Sequence, residues 1–290
     1  MDGVILILLL LMLIYVIYIK KENYKFLHNS SIVQNSIKYI QENVVCLIGI
    51  WERLELVQIN IDLLKKQTMR CKILLIVSSQ KDKQFAIQNK VDWIYTENKP
   101  LGRKWQIGLD ECKKYNPNAI LINGSDDLLS TNWVKTCYHY IHKKKYDIVG
   151  KSNWYLLDLI AKSPYKLMYR NANILLGAGR MISRNILDEI NWNLFPLNQN
   201  RGLDTYCNII FNKNYAKRLV ISSPKIFVIS LKGKYDTLNT VDEILNANDR
   251  LQQVSLKTIE KKYLNALIYK INTKKNTYTD ILSLIKVNYL

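Results

Sequence analysis

Proline and glycine are scarce in this 290-residue chain, at 5 and 10 residues, which excludes a collagen-like or low-complexity disordered polymer. Histidine is scarcer still, at 3. No Cys-x-x-Cys pair occurs. The five cysteines, Cys46, Cys71, Cys112, Cys137 and Cys207, are odd in number, widely spaced and mostly set in apolar stretches, so they are read as reduced thiols rather than a disulfide framework. The nearest thing to a metal cluster is Cys137, His139 and His142 on one expected helix, beside the solvated end formed by Lys143 to Lys145. No segment repeats at a period of about 20–50 residues. Acidic residues are in deficit, with 24 Asp+Glu against 42 Lys+Arg, a formal charge of +18. Such an excess suits an anionic partner such as a nucleotide, nucleic acid or acidic lipid surface. It also accompanies a general richness in Lys, Asn, Ile and Tyr, the mark of AT-rich codons, so charge alone decides nothing.

The chain does have a core to bury: 48% of it is hydrophobic and 23% charged. Its length suits one large α/β domain with appendages, since such domains run to about 250 residues. Val4 to Ile19 is an unbroken apolar run, preceded by Asp2 and followed by Lys20 and Lys21. As a helix it measures about 24 Å, short for a hydrocarbon core of about 30 Å but workable with snorkelling lysines. A cleaved signal peptide would need a basic start and a small-residue cleavage site; here the start is acidic and no alanine precedes Ala86. An uncleaved single-pass membrane anchor is therefore expected. Lys20, Lys21 and Lys25 follow the run, which places the rest of the chain in the cytosol by the positive-inside rule. The unpaired thiols agree with a cytosolic domain, as does the Asn123-Gly124-Ser125 sequon, which a lumenal domain would expose to glycosylation.

Four parts are expected: an anchor over 1–22, a stalk over 23–43, a catalytic domain over 44–235 and a helical extension over 236–290. Val44 to Ile50 (VVCLIGI) is a continuous β-branched run, as expected of a strand covered on both faces. Leu56, Ile59, Leu63 and Leu64 give a helical period over Leu54 to Lys66. Cys71 to Ser78 predicts a second buried strand, Val91 to Tyr95 a third, Arg103 to Tyr115 a helix and Ala119 to Ile122 a fourth strand. This alternation implies an α/β fold, mostly parallel and flanked by helices, with its ligand site at the carboxyl ends of the strands. The second half loses the rhythm. Strands are expected at Tyr146 to Gly150, Leu175 to Ile182 and within Leu219 to Leu231, helices at Ser183 to Ile190 and Leu203 to Phe211, and helices again over Thr240 to Leu290. Ser152 to Asn173 reads as a loop able to carry a ligand pocket, with Trp154, Tyr155, Tyr165 and Tyr169 available to stack on a ring.

Asp126 and Asp127 end the fourth strand. Two adjacent carboxylates there are costly unless a cation is present, and hard oxygen ligands favour Mg2+ or Mn2+ bridging to a substrate phosphate. An Asp-rich turn and helix cap before Leu128 is the structural alternative. The runs ENKPLGRKWQIGLDEC, AILINGSDD, LLGAGRMISRNIL and RGLD together resemble the GT-A fold glycosyltransferases of the family 2 type over Val44 to Leu231. That resemblance implies a nucleotide-sugar donor and an Asp-x-Asp motif holding a divalent metal against its diphosphate. Here the matching triplet is Gly124-Ser125-Asp126, so the first acid is missing and the metal would rest on Asp126 and Asp127. Gly177-Ala178-Gly179-Arg180 looks like the segment beside the bound sugar, and Arg201-Gly202-Leu203-Asp204 falls where relatives carry an acidic pair whose carboxylate acts as the base, with only one acid present here.

Chemistry fills in the remaining positions. A departing nucleoside diphosphate needs a metal, cations or helix amides. Arg103 and Lys104 open a helix after a Gly-containing turn and suit a phosphate, and Lys232-Gly233-Lys234 follows the last strand where it can fold over the diphosphate. Ile50, Trp51 and Ser79 border the expected base pocket, Trp51 either stacking there or packing on the next helix. Ser125, Gly179 and Arg180 complete the expected donor site, and Asp204 is either the base that deprotonates the acceptor or the N-cap of its helix. The reading is a membrane-anchored transferase moving a sugar from a UDP- or GDP-sugar to a glycan, lipid or protein hydroxyl with inversion. Two alternatives remain: a nucleotidyltransferase, which wants a Gly-rich basic loop after the first strand that is missing here, and a membrane-tethered basic module, which gives the acidic pair no role. No nucleic-acid partner is expected.

Overall fold

A computed structural model describes residues 43–171, 173–233, 240–247, 251–257 and 261 of the chain. The expected anchor over 1–22 and the stalk, up to residue 42, lie outside the described residues, as do Lys234 and most of the 236–290 extension. No helix among the described residues is long and apolar enough to cross a membrane.

The first half alternates as its periodicity predicts: β1 Val44–Gly49, α1 Leu54–Lys65, β2 Lys72–Val77, α2 Gln80–Gln88, β3 Asp92–Tyr95, α3 Leu101–Cys112 and β4 Ala119–Gly124. These strands pair in parallel, β1 between β2 and β4, with β3 on the far side of β2. Side chains alternate across a strand, and here both faces are covered. Val44, Cys46 and Ile48 of β1 enter one apolar cluster, while Val45 and Leu47 enter another on the opposite face. Burying each such side chain contributes about 1.5–3 kcal/mol, so a continuous β-branched run is the pattern this sheet demands. Helix α2 shows no comparable stripe; it buries Phe85 and Ala86, and Ser79 caps its start by accepting a hydrogen bond from the Asp82 amide at 3.0 Å.

The second half continues with β5 Asp127–Leu129, α4 Trp133–Lys144, β6 Ile148–Gly150, β7 Asn153–Asp158, β8 Ser163–Tyr169, β9 Arg180–Ser183, α5 Arg184–Glu189, α6 Leu203–Lys213, β10 Arg218–Val220, β11 Val228–Lys232, α7 Val241–Leu245 and β12 Leu251–Val254. Strands β9, β6 and β10 extend the first sheet to the order β10-β6-β9-β4-β1-β2-β3, in which only β9 runs against its neighbours. The others form a second sheet, β12-β8-β7-β11-β5. Three expectations change here. Ser152 to Asn173 is not a loop: most of it is the β7–β8 hairpin, with Trp154 and Leu156 in the core. Of Leu175 to Ile182, only residues from Arg180 onward are strand. Within the expected helical extension, α7 is helical but residues 251–254 pair antiparallel with β8, since Leu251 and Val254 need only one apolar edge to pack on.

Candidate active site

One cleft of about 510 Å³ lies at the carboxyl ends of β1 and β4, within the range of small-molecule sites. The turn that forms its floor leaves β4 at Gly124, passes Ser125 and Asp126, and re-enters strand structure at Asp127. A buried amide network fixes it: Asn60 donates to the Gly124 carbonyl at 2.7 Å, and Asn123 donates to Asn60 and to the Asp127 carbonyl. The carboxylates fold back over the turn. A Cβ on Gly124 would stand 2.1 Å from Asp127 Oδ2 and 3.3 Å from Asp126 Oδ1, so only glycine leaves them room. The sequon asparagine is thereby buried in the network.

The register of the second sheet brings the cations. Ser230 of β11 sits opposite Asp127 of β5, and Leu231 donates its amide to the Asp126 carbonyl at 2.9 Å. Ser230 and Lys232 share a face by the two-residue period. Ser230 Oγ makes a short hydrogen bond to Asp127 Oδ1, and Lys232 Nζ donates to Asp126 Oδ2 at 2.8 Å. From the first sheet, Arg53 reaches the same atom with Nη1 at 3.4 Å and donates from Nη2 to Ser125 Oγ at 3.1 Å. Arg53 holds a left-handed backbone, φ 48°, after Glu52 at φ 56°. Such angles are uncommon outside glycine and concentrate at functional positions.

Electrostatics separates the two acids. Burial pushes Asp126 up, but the Lys232 ammonium and the Arg53 guanidinium outweigh it and hold the carboxyl below the usual range. Burial and then the Asp126 charge push Asp127 up to about 7, against the pull of Lys232 and the Ser230 hydroxyl. Lys104 forms another wall, buried and donating from Nζ to the Ile50 carbonyl at 2.6 Å and to Asn98 Oδ1 at 2.9 Å. Burial lowers it to about 8, with Asp82 pulling back.

Asp204, in the first turn of α6, also lines the cleft. The N-cap of that helix is Gly202, without a side-chain cap bond, so capping is not the role of Asp204. Its Oδ2 accepts from the Gly177 amide at 3.1 Å, and its Oδ1 lies 3.4 Å from Arg180 Nη2. Arg180 is buried and donates to the Leu175 and Leu176 carbonyls at 2.6 and 3.1 Å, which fixes the 175–177 backbone under the carboxylate. Gly177 is again needed for close approach, since a Cβ would lie 2.4 Å from Asp204 Oδ1.

The structure thus gathers Trp51, Lys104, Ser125, Asp126, Asp127, Lys232 and Asp204 around one cleft. It does not bring the other expected donor residues to its lining. Ile50 is fully buried and offers only its carbonyl to Lys104. Ser79 is the cap of α2, Arg103 is exposed on α3 while its neighbour Lys104 turns inward, Gly179 accepts from the Trp133 indole, and Arg180 stands behind Asp204. Arg53 is not among the residues expected from the sequence, although it follows Trp51 by two residues. The expected Mn2+ or Mg2+ ligands fit a divalent ion poorly. Two cationic side chains already share Asp126 Oδ2, Gly124 offers no side-chain oxygen, and no group of three His, Cys, Asp or Glu able to hold a metal occurs among the described residues.

No family model matches the sequence, and no curated protein does. Among solved structures, TarS of S. aureus superposes with a TM-score of 0.50 at 12% identity, over 84% of this chain and 49% of that one, about half its length. Mannosyltransferase PcManGT from Pyrobaculum calidifontis, solved in complex with GDP-Man and Mn2+, gives a TM-score of 0.49 at 9% identity, over 85% and 75% of the two chains. TarS 1-349 in complex with UDP gives 0.48 at 12%, over 84% and 81%. The chain has a GT-A-like glycosyltransferase fold.

Proposed function

We propose that the protein transfers a sugar from a nucleoside-diphosphate sugar to an acceptor hydroxyl, with inversion at the anomeric carbon. The observation that carries this reading is one cleft lined by a half-exposed carboxylate, Asp204, together with the cations Lys232, Arg53 and Lys104. The acceptor oxygen attacks the anomeric carbon, Asp204 takes the hydroxyl proton, and the bond from that carbon to the diphosphate oxygen breaks with its electron pair on the departing nucleoside diphosphate. A base must be wet enough to stay ionised and close enough to accept; removing one typically costs about 10²- to 10⁴-fold in rate. Fixed cations meet the charge that develops on the leaving group. Trp51 offers a face for the base, and the donor fits a UDP- or GDP-sugar. A resident Mn2+ or Mg2+ fits the acidic turn poorly.

The proposed acceptor is a glycan, lipid or protein hydroxyl. The proposed membrane anchor and cytosolic orientation belong to residues outside the described ones, and a carboxyl-terminal tag digested by protease in sealed vesicles would support them. The reaction is tested by incubating full-length protein with a panel of UDP-, GDP-, dTDP- and ADP-sugars and quantifying release of the nucleoside diphosphate. Release from at least one donor is expected. Consumption of ATP or CTP with pyrophosphate formation and no sugar-nucleotide cleavage would replace the reading with nucleotidyl transfer.

A further inference from the structure

We propose that Lys232 and Arg53, gathered on Asp126, form the seat of the donor's diphosphate, so that this protein holds and releases its nucleotide without a divalent metal. The inference rests on the glycosyltransferase reading and adds how the anion is bound. A divalent ion at this turn would take Asp126 Oδ2, the atom on which Lys232 Nζ sits at 2.8 Å and Arg53 Nη1 at 3.4 Å. Its second ligand would be Asp127, whose Oδ1 already accepts from Ser230. Adding a doubly charged ion to two cations and two acids would leave the site strongly positive at contact distance.

The cation pair is built into the fold on both sides. Lys232 is fixed by the β11–β5 register and Arg53 by a left-handed backbone at the N-cap of α1. Their side chains are 11% and 20% exposed, and both line the cleft. Asp126 holds the two heads together and cancels one of their charges, while Asp127, pushed up to about 7 by burial and the Asp126 charge, is only partly ionised near neutral pH, so the cluster keeps a net positive charge where an anion would sit. A planar guanidinium suits a bidentate phosphate contact and an ammonium a point contact, which are the two tasks a bridging metal would otherwise perform. Being fixed and partly desolvated, the pair is set for the leaving group before the bond breaks.

The test is calorimetric titration of the full-length protein in detergent with UDP, GDP, dTDP and ADP, in excess EDTA and again in MnCl2. At least one nucleotide is expected to bind with affinities within about threefold in the two buffers. Lys232→Met and Arg53→Met should each weaken binding in EDTA at least tenfold, and Lys232→Arg should retain most of it. Because Lys232→Met strips a partner from a buried carboxylate, the double variant Asp126→Asn/Lys232→Met is measured beside it to preserve folding, with the same weakening expected. Binding seen only with Mn2+ would overturn this inference and leave the transferase reading standing. Full affinity in folded Lys232→Met and Arg53→Met variants would also overturn it. No nucleotide binding in either buffer would overturn both.

Discussion

Two carboxylates that line the same cleft use one residue type in opposite ways. Asp126 has a side chain only 10% exposed and shares one oxygen between two cations, whereas that of Asp204 is 44% exposed and has a backbone amide at 3.1 Å and one guanidinium at 3.4 Å. Burial with compensation turns a carboxylate into a structural counter-charge that organises cations. Exposure with light anchoring keeps one oriented and still able to exchange a proton. Position relative to water, more than residue identity, separates the two carboxylates.

The sharpest way to break the comparison is Asp204→Asn. The amide keeps the shape and can still accept from Gly177, but it cannot take a proton, so kcat should fall about 10²- to 10⁴-fold with nucleotide affinity little changed. Turnover within a few-fold of the parent, or a product that keeps the donor's anomeric configuration, would remove the base assignment.

The paired glycines come next. Gly124→Ala places a methyl against two carboxylates pinned by Lys232, Arg53 and Ser230, and should cost about 1–3 kcal/mol in denaturant unfolding together with nucleotide affinity. Gly177→Ala presses on the half-exposed Asp204, which can swing toward solvent, so activity should drop while stability changes by less than about 1 kcal/mol. Equal destabilisation by both would erase the contrast between the two carboxylates.

A smaller effect concerns pH. Burial lowers Lys104 in the folded protein to about 8 from its ordinary 10.5. Between those values the unfolded chain binds more protons than the folded one, so stability contributed through this residue rises with pH across that window. The gain should be on the order of 2 kcal/mol from pH 8 to pH 10, and Lys104→Met should flatten that slope in denaturant melts. An unchanged slope would mean the ammonium is better solvated than its burial implies. The smallest effect is expected from Arg201→Ala, because the Arg201–Glu243 pair is exposed at both partners; the loss should stay under about 1 kcal/mol and vanish in high salt.

Legibility in the sequence followed burial on two faces. Strands β1, β2 and β4 announce themselves because every side chain is covered, giving runs such as VVCLIG and KILLIV. Strands β7 and β8 did not, because Pro164 and alternating polar residues make SPYKLMY look like a loop, and the parallel partner of β7 is β11, more than seventy residues on. Helix α2 was silent since QKDKQFAIQ carries almost no apolar stripe. In the site, Asp126 and Lys232 could be placed on the cleft because they end apolar runs, and Asp204 only through the RGLD motif of the resemblance. Arg53 could not, because its partners Ser125 and Asp126 lie in the turn after β4, which only sheet order sets beside the exit of β1. Ser79 and Arg103 failed for local reasons: a hydroxyl before a helix serves the backbone first, and of two adjacent basic residues on a helix only one faces the cleft.

The pairing of β12 with β8 also governs the order in which the cleft can be completed during synthesis. Gly49 at one side of the cleft emerges early, while Leu251, which lines it too, is among the last described residues to leave the ribosome. Until residue 254 is available, the outer edge of β8 presents unpaired amides and carbonyls, and the wall contributed by Glu243, Ile244 and Ala247 lacks its downstream tether. A nascent chain stopped at Gly233 would therefore own Arg53, Lys104, Asp126, Asp204 and Lys232 and yet carry an open sheet edge, a state prone to association. Trimming this protein to its ionic machinery would yield an aggregating fragment rather than a minimal enzyme.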